Sequence, residues 1–168
     1  GSALRHSEFV DKGVAVLGID NAVQNRFAWA ERRFISNEKY EMFKRYTVKP
    51  GDVIVTIMGT TGRSAVVPDD IARAISTKHL AVITVDRSRV HPVFLSHAVH
   101  SDPTVLAQIA AANRGAIMAG LNLGVIKRLT LRLPPLAAQE CFAAGVEAVQ
   151  RARNRLERGV RETDHLFD

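Results

Sequence analysis

The 168-residue sequence is poor in the residues that mark secreted, membrane or disulfide-linked proteins. Its single cysteine, Cys141, cannot form a disulfide within the chain, which favours a reducing compartment such as the cytoplasm. No stretch approaches the ~18–20 uncharged apolar residues of a membrane span, and no signal-peptide pattern is present. We therefore expect a cytoplasmic globular protein with no membrane partner. Gly1-Ser2 is typical of an expression remnant, so we expect no part for it in the fold.

Familiar catalytic signatures are also missing from the sequence. No Gly-Lys-Ser/Thr ends a glycine-rich loop, and no Gly-x-Gly-x-x-Gly follows a predicted strand. The sequence has neither a Gly-x-Ser-x-Gly nucleophile elbow nor the Asn-Pro-Pro-aromatic signature of methyltransferases. His97 and His100 could share a helix face, but no third ligand lies near them, so we expect no metal site. These absences favour a protein that is not an enzyme.

One catalytic alternative remains open, a divergent Mg-dependent nuclease. Asp69 and Asp70 follow a proline, as acidic residues of a nuclease metal site could. Such a site also needs an acid-x-Lys sequence downstream. The best match is Ser76-Thr77-Lys78, where Ser76 cannot bind a cation as a carboxylate does.

Positive charge is concentrated in the first four fifths of the chain. The net charge is +6, but residues 137–168 hold five arginines against six acidic residues, which leaves about +7 on the preceding part. A basic globular body attached to a near-neutral tail fits a polyanion partner. A basic composition without a specific partner is the simpler alternative.

Hydrophobic periodicity predicts an α+β fold, with a small mixed or antiparallel sheet and flanking helices before one long C-terminal helix. Turn residues and caps divide residues 3–135 from this helix, which begins after Pro134-Pro135. The predicted strands cover 13–19, 53–58, 64–67, 72–75, 80–85 and 129–133, with 26–34 extended. The predicted helices cover 36–46, 92–112 with a restart at Asp102-Pro103, 122–128 and 136–168.

The long helix carries an apolar seam spaced by four and three residues, the pattern of a coiled coil. Because two glycines weaken the helix, we expect it to need a partner helix. A helix folded back on its own domain is the alternative. The predicted pairing residues are Phe142, Val146, Val149, Leu156, Val160 and Phe167.

Three loops each contain some of the groups that bind phosphates and base edges, namely hydroxyls, cations, an imidazole or backbone N–H groups exposed by glycines. The first, 59–63, offers Thr60, Thr61 and Arg63, although it could be a simple hairpin turn. The others are 76–79 and 114–122, each with a plain connecting loop as its alternative. Their candidate DNA-binding residues are Thr77, Lys78, His79, Arg114 and Asn122, with Lys127 in the short helix that follows.

Four residues between 26 and 33 interleave cations with an aromatic ring, a pattern typical of nucleic-acid binding. The candidate cations are Arg26, Arg32 and Arg33. The alternative places Trp29 in the core with the arginines outside.

Two segments about seventy residues apart carry a family resemblance. The first is Gly51-Asp52-Val53-Ile54-Val55-Thr56-Ile57-Met58-Gly59-Thr60-Thr61-Gly62-Arg63. The second runs from Gly120-Leu121-Asn122-Leu123-Gly124 through Leu133-Pro134-Pro135-Leu136 to Gln139. In this order and spacing they resemble the target recognition domain of the DNA-specificity (S) subunits of type I restriction–modification systems.

The resemblance implies a DNA target recognition domain at 3–135, shortened at its N-terminus relative to the family, and a spacer helix at 136–168. It implies a non-catalytic protein that binds double-stranded DNA and directs methyltransferase (M) and, through them, restriction (R) subunits to a target. S-adenosylmethionine, ATP and Mg²⁺ would belong to those partner subunits, with no cofactor in this chain. The helix would pair with a second copy or a second S half. A helix-paired assembly adaptor without DNA readout is the main alternative function.

Overall fold

The computed structural model describes residues 1–164 except Gln24, Ala30, Thr60 and 113–120, with side chains described up to residue 158. The strands are β1 Val14–Leu17, β2 Ala22–Val23, β3 Arg26–Phe27, β4 Phe34–Ile35, β5 Thr47–Val48, β6 Val53–Thr56, β7 Ser64–Val66, β8 Ala74–Ser76 and β9 Leu80–Ile83. The α-helices are α1 Asn37–Phe43, α2 Pro92–Ser101, α3 Pro103–Ala112, α4 Leu123–Arg128 and α5 Leu136–Asp164. Single 3₁₀ turns lie at His6–Glu8, Ile19–Asn21 and Lys44–Tyr46.

The predicted α+β class is confirmed, but the strands described divide among three small sheets. One has the order β4-β1-β8-β5, in which β1 and β8 run parallel and the other pairs run antiparallel. The second is the antiparallel β7-β6-β9 sheet, and the third is the β2-β3 hairpin. Short strands separated by turn-rich loops explain why the sequence pattern did not show where one sheet ends and the next begins.

The two larger sheets face each other, and each is covered on its other side. Ile54 of β6 lies in the core between the sheets, with Ala15 and Leu17 of β1. Val53 and Val55 point the opposite way, into a core shared with the helices α2 and α4. The strand β6 is therefore apolar on both faces because both faces are covered.

The outer face of the four-stranded sheet is covered by the N-terminal segment and α1. Val14 and Val16 alternate with the inward residues of β1 and pack with Phe9, Tyr40 and Phe43. This alternation is the two-residue period of a strand. The resulting order is N-terminal segment and α1, first sheet, second sheet, then α2–α4.

The Gly51-Asp52 pair of the first motif has a structural role. Gly51 has φ +76°, and the guanidinium of Arg87 occupies the place of a side chain there. Asp52 is buried, and its carboxylate accepts hydrogen bonds from the Lys49 N–H at 2.8 Å and the Thr84 hydroxyl at 2.7 Å. The pair therefore fixes the entry into β6.

Helix starts follow the predicted caps. Ser36 accepts from the Lys39 N–H at the start of α1, and Asn122 accepts from the Val125 N–H at the start of α4. Asp102 separates α2 from α3 and accepts from the Thr104 and Val105 N–H groups.

The strand predicted at 129–133 is wrong, since these residues form no strand in the structure. The Gln108 side chain of α3 takes the place of a neighbouring strand for Thr130. Its Oε1 accepts from the Thr130 N–H at 2.9 Å, and its Nε2 donates to the Thr130 carbonyl at 2.9 Å. The two following prolines cannot donate to a ladder.

The expectation that Gly1-Ser2 lies outside the fold is also wrong. Ser2 is buried and pairs in parallel with Thr77. Its N–H donates to the Ser76 carbonyl at 2.8 Å, and its own carbonyl accepts from the Lys78 N–H at 2.8 Å. The N-terminal segment thereby extends the sheet beside the end of β8.

The long helix α5 is 29 residues, about 43 Å at ~1.5 Å per residue. Gln139 fixes its first turn to the domain and is fully buried. Its Oε1 accepts from the His91 N–H at 2.9 Å, while its Nε2 donates to the carbonyls of Arg89 at 3.1 Å and Pro134 at 2.8 Å. The direction of the helix therefore depends on one amide group.

Gln139→Leu keeps the side-chain volume but leaves the His91 N–H and two carbonyls without partners. We expect the free energy of unfolding, measured by urea denaturation, to fall by about 2–4 kcal/mol. Gln150→Leu is the control, because Gln150 lies on the same helix and its exposed side chain donates a hydrogen bond to the Asn154 side chain, not to the domain. Equal losses in the two variants would show that the Gln139 amide does not anchor the helix.

Candidate nucleic-acid interface

The three candidate loops meet at the C-terminal end of β6. Ile57, the first residue after β6, donates its N–H to the His79 carbonyl at 2.9 Å. Its carbonyl accepts from the Leu121 N–H at 3.0 Å. We call the described residues of 57–63, 77–79 and 121–122 the loop edge. Segments that are distant in the sequence are thus joined through the backbone of one residue, Ile57.

The 57–63 loop is a hairpin closed at its base by Thr56 and Arg63. Thr56 N–H donates to the Arg63 carbonyl at 2.8 Å, and the Arg63 N–H donates to the Thr56 hydroxyl at 3.0 Å. Gly59 and Gly62 have φ values of +75° and +82°, which L side chains rarely adopt. The backbone of this loop is therefore a hairpin turn, as the alternative predicted. This turn holds the half-exposed side chains of Thr61 and Arg63 at the loop edge. Thr60 lies outside the described residues.

The 77–79 turn is held from two sides. Thr77 donates its N–H to the Leu17 carbonyl at 2.9 Å, and Lys78 bonds to Ser2 as described above. The Lys78 side chain is exposed and His79 is half-exposed. The Thr77 hydroxyl is buried and has no hydrogen-bond partner among the described residues.

The third segment contributes Leu121 and Asn122. Leu121 is buried, and the Asn122 carbonyl oxygen serves as the cap of α4. Arg114 and the glycine-rich stretch after it lie outside the described residues. Lys127 lines a different groove with Ile83 and Leu129, toward the far end of β9. The structure therefore does not bring Lys127 to the loop edge.

The charge of the loop edge is of one sign. The described residues of 57–63, 77–79 and 121–122 include Arg63 and Lys78 and contain no aspartate or glutamate. Such a surface attracts a polyanion, and the attraction weakens as salt screens it.

The arginines between 26 and 33 do not form one patch. Arg33 pairs with Asp20 at 2.5 Å and thereby ties β4 to the Ile19–Asn21 turn. Arg32 lies over the Trp29 ring, with its guanidinium carbon 5.2 Å from the ring centre. Arg26 lines a groove of about 470 Å³ beside α5.

The alternative that places Trp29 in the core is wrong, because Trp29 is 38% exposed. Its ring packs edge-on against Phe27, with 5.2 Å between centres. Phe27 and Arg32 thus hold Trp29 at the surface.

A polar layer beneath the 57–63 loop was missed in the sequence. The Ser64 hydroxyl lies 2.6 Å from the Ser96 carbonyl and 2.9 Å from the Ser96 hydroxyl. It also lies 3.1 Å from the Asn25 amide oxygen, while the Asn25 nitrogen lies 3.4 Å from His97 Nδ1. In the sequence, the only sign of this layer was small polar residues within apolar runs. In the structure, Asn25 also has a positive φ of +61°. The layer joins the β2-β3 hairpin and α2 to the strand that leaves the loop.

His97 also contacts the long helix. The His97 ring packs edge-on against the Phe142 ring, with 5.3 Å between centres. Phe94 also packs edge-on against the Phe142 ring, with 6.0 Å between centres. Burial, and to a lesser extent the neighbouring His100, lowers the pKa of His97 below its ordinary value of 6.5. The neutral imidazole therefore belongs to the folded state.

The predicted helix-pairing seam is divided between two environments. Phe142 packs on α2, and Val146 lines the groove that also contains Arg26. Val149 and Leu156 are each 71% exposed. Val160 and Phe167 fall outside the residues whose side chains are described. The fold-back alternative is thus correct for the first turns of α5 and wrong for the outer turns up to residue 158.

Geometry does not support the nuclease alternative. Asp69 and Asp70 are exposed and precede β8, whereas Lys78 follows it, so the strand separates the groups that such a site must combine. Among the described residues, no three His, Cys, Asp or Glu side chains gather as metal ligands. Cys141 is a free cysteine exposed on α5. No helix in the described part has the length and apolar character to cross a bilayer.

Comparison with known structures identifies the fold as that of type I restriction–modification specificity subunits. The chain matches a structure of the type I R-M system, solved to explain its complex assembly and conformational transition, with a TM-score of 0.62 and 22% identity. It matches the crystal structure of the HsdS subunit from Thermoanaerobacter tengcongensis with a TM-score of 0.61 and 22% identity. Each match covers 86% of this chain and 37% of the other chain.

Sequence comparison points to the same class of protein. The chain is 29% identical over 128 residues to the type I restriction enzyme EcoBI specificity subunit of Escherichia coli. This match covers 76% of the chain but only 27% of the relative, so the chain spans about a quarter of that protein's length. No protein-family model matches the sequence. The predicted resemblance to specificity subunits is confirmed.

The lowered pKa of His97 predicts a pH dependence of stability. Well above pH 6.5 the imidazole is neutral in both the folded and the unfolded chain, so its contribution to the free energy of unfolding is fully present. As pH falls from about 7 to 5, the unfolded chain binds a proton that the folded chain resists, and stability decreases. Urea denaturation across this range measures the slope, and His97→Gln should flatten it. His6→Gln, at an exposed position, is the control, and a slope that His97→Gln leaves unchanged would contradict the assignment.

Proposed function

We propose that this chain is a non-catalytic reader of double-stranded DNA, which recognises one part of the target of a type I restriction–modification system. The observation that carries the proposal is the loop edge, where glycine-supported hydroxyls and cations converge without a carboxylate. The similarity to specificity subunits supports the same conclusion.

Affinity comes first from charge. Arg63 and Lys78 can neutralise backbone phosphates and release condensed counterions, which makes binding fall as salt rises. These contacts position the protein but do not read sequence. Side chains of the loops then contact base edges, where a good bidentate contact discriminates by about 1–3 kcal/mol.

The helix α5 serves as a spacer in this proposal. Gln139 fixes its direction relative to the sheets that hold the loop edge. The exposed Val149 and Leu156 are available for a second helix, from another copy or another half of a longer subunit. A rigid rod at a fixed angle then sets the distance between two reading units.

Catalysis belongs to the partners in this proposal. Methyltransferase subunits supply S-adenosylmethionine and extrude the target base, and a restriction subunit uses ATP and Mg²⁺. This chain determines the DNA sequence on which those subunits act. The assembly adaptor is the second candidate, favoured by the exposed outer seam of α5.

The proposal is tested by selection from a random duplex library with the methyltransferase partner present. We expect one short motif to be enriched, with binding that weakens steeply as salt rises. Binding that ignores sequence and salt would favour the adaptor. Plasmid cleavage in Mg²⁺ that Asp70→Ala abolishes would revive the nuclease alternative.

Arg63→Ala should weaken binding to the enriched duplex about tenfold and lower the salt dependence by about one counterion. Arg63 is held in the fold by hydrogen bonds of its backbone N–H and carbonyl, so removing its side chain leaves these bonds in place. Arg158→Ala is matched in charge and lies on the opposite face of α5 from the seam. Equal effects of the two variants, measured by fluorescence anisotropy, would remove the 57–63 loop from the DNA interface.

A further inference from the structure

Two large apolar side chains are exposed at this surface, one in the loop edge and one beside it. Met58 is 45% exposed and Ile19 is 39% exposed. Ile19 lies beside the residue that follows Met58, because a Cβ placed on Gly59 would lie 3.7 Å from the Cδ1 of Ile19. Exposed apolar surface is unfavourable in water, so an adjacent pair at a polar surface calls for an apolar ligand group.

Both side chains are carried on fixed supports. Met58 follows Ile57, whose N–H and carbonyl are both bonded, and Gly59 turns the chain immediately afterwards. Ile19 begins a 3₁₀ turn that Asn21 holds from within the core. Asn21 accepts from the Gly18 N–H at 2.8 Å and donates to the Ala28 carbonyl at 2.8 Å. The pair is therefore preorganised for contact.

The chemistry around the pair identifies the group that it fits. Arg63 and Lys78 of the same loop edge are suited to bind phosphates, so a duplex bound at this edge brings a groove against Met58 and Ile19. The C5 methyl of thymine is the apolar feature of the major groove, and protein apolar groups read it by contact. We propose that Met58 and Ile19 form a thymine-methyl contact that gives this chain part of its sequence preference. This inference rests on the proposed function and assigns specificity to two residues.

The test replaces each thymine of the enriched duplex, one at a time, by deoxyuridine. This change removes only the C5 methyl and keeps base pairing. We expect one position at which the full chain, with its methyltransferase partner, loses about four- to tenfold in affinity. The other thymines should tolerate the change.

Protein variants assign that methyl to its contact. Met58→Ala should bind the thymine and deoxyuridine duplexes equally, and Ile19→Ala should reduce the difference. Met42→Ala is the matched control, because Met42 is 70% exposed on α1, away from the loop edge, and should keep the full discrimination. Circular dichroism checks that the variants remain folded.

The outcomes separate this inference from the proposed function. An enriched motif without thymine, or one that tolerates deoxyuridine throughout, overturns the methyl contact and leaves the DNA reader intact. Discrimination that survives in both Met58→Ala and Ile19→Ala assigns the methyl to other residues and also overturns it. Absence of any enriched duplex removes the proposed function, and this inference with it.

Discussion

The backbone of Ile57, the residue that follows β6, is the constraint on which the candidate interface depends. The Ile57 N–H bonds to the 77–79 turn, and its carbonyl bonds to the segment that enters α4. The strand beneath it is buried on both faces, so this anchor cannot move without disturbing two cores. Loops distant in sequence therefore share one rigid base, which holds the side chains of Thr61, Arg63 and Lys78 at one edge of the domain.

The spacer helix is tied to the same body at two levels. Gln139 satisfies three backbone groups with one buried amide, and Phe142 packs on α2 beside His97. His97 in turn approaches Asn25, which bonds to Ser64 directly after the loop residue Arg63. The loop edge and α5 are thus fixed relative to each other, as the proposed role of setting the distance between two DNA contacts requires.

Local signals in the sequence predicted the local structure. Ser36 and Asn122 cap their helices, Asp102-Pro103 restarts one, and the doubled proline precedes the long helix. Tertiary partners decided the rest. Hydrogen bonds between Gln108 and Thr130 take the place of a predicted strand. Arg33, predicted to bind DNA, forms an ion pair with Asp20. The convergence of loops at Ile57 depends on contacts between residues 22 and 64 positions apart, which no periodicity reports.

The most direct test of the central claim is to map the backbone amide chemical shifts of the chain as the enriched duplex is added. The account predicts that the largest shifts fall in the described residues of 57–63 and 77–79 and at Leu121 and Asn122, and that they disappear as salt is raised. Amides of 151–158 on the outer part of α5 should stay unchanged. Shifts confined to α5, with the loop edge silent at low salt, would contradict a DNA-reading role for this surface.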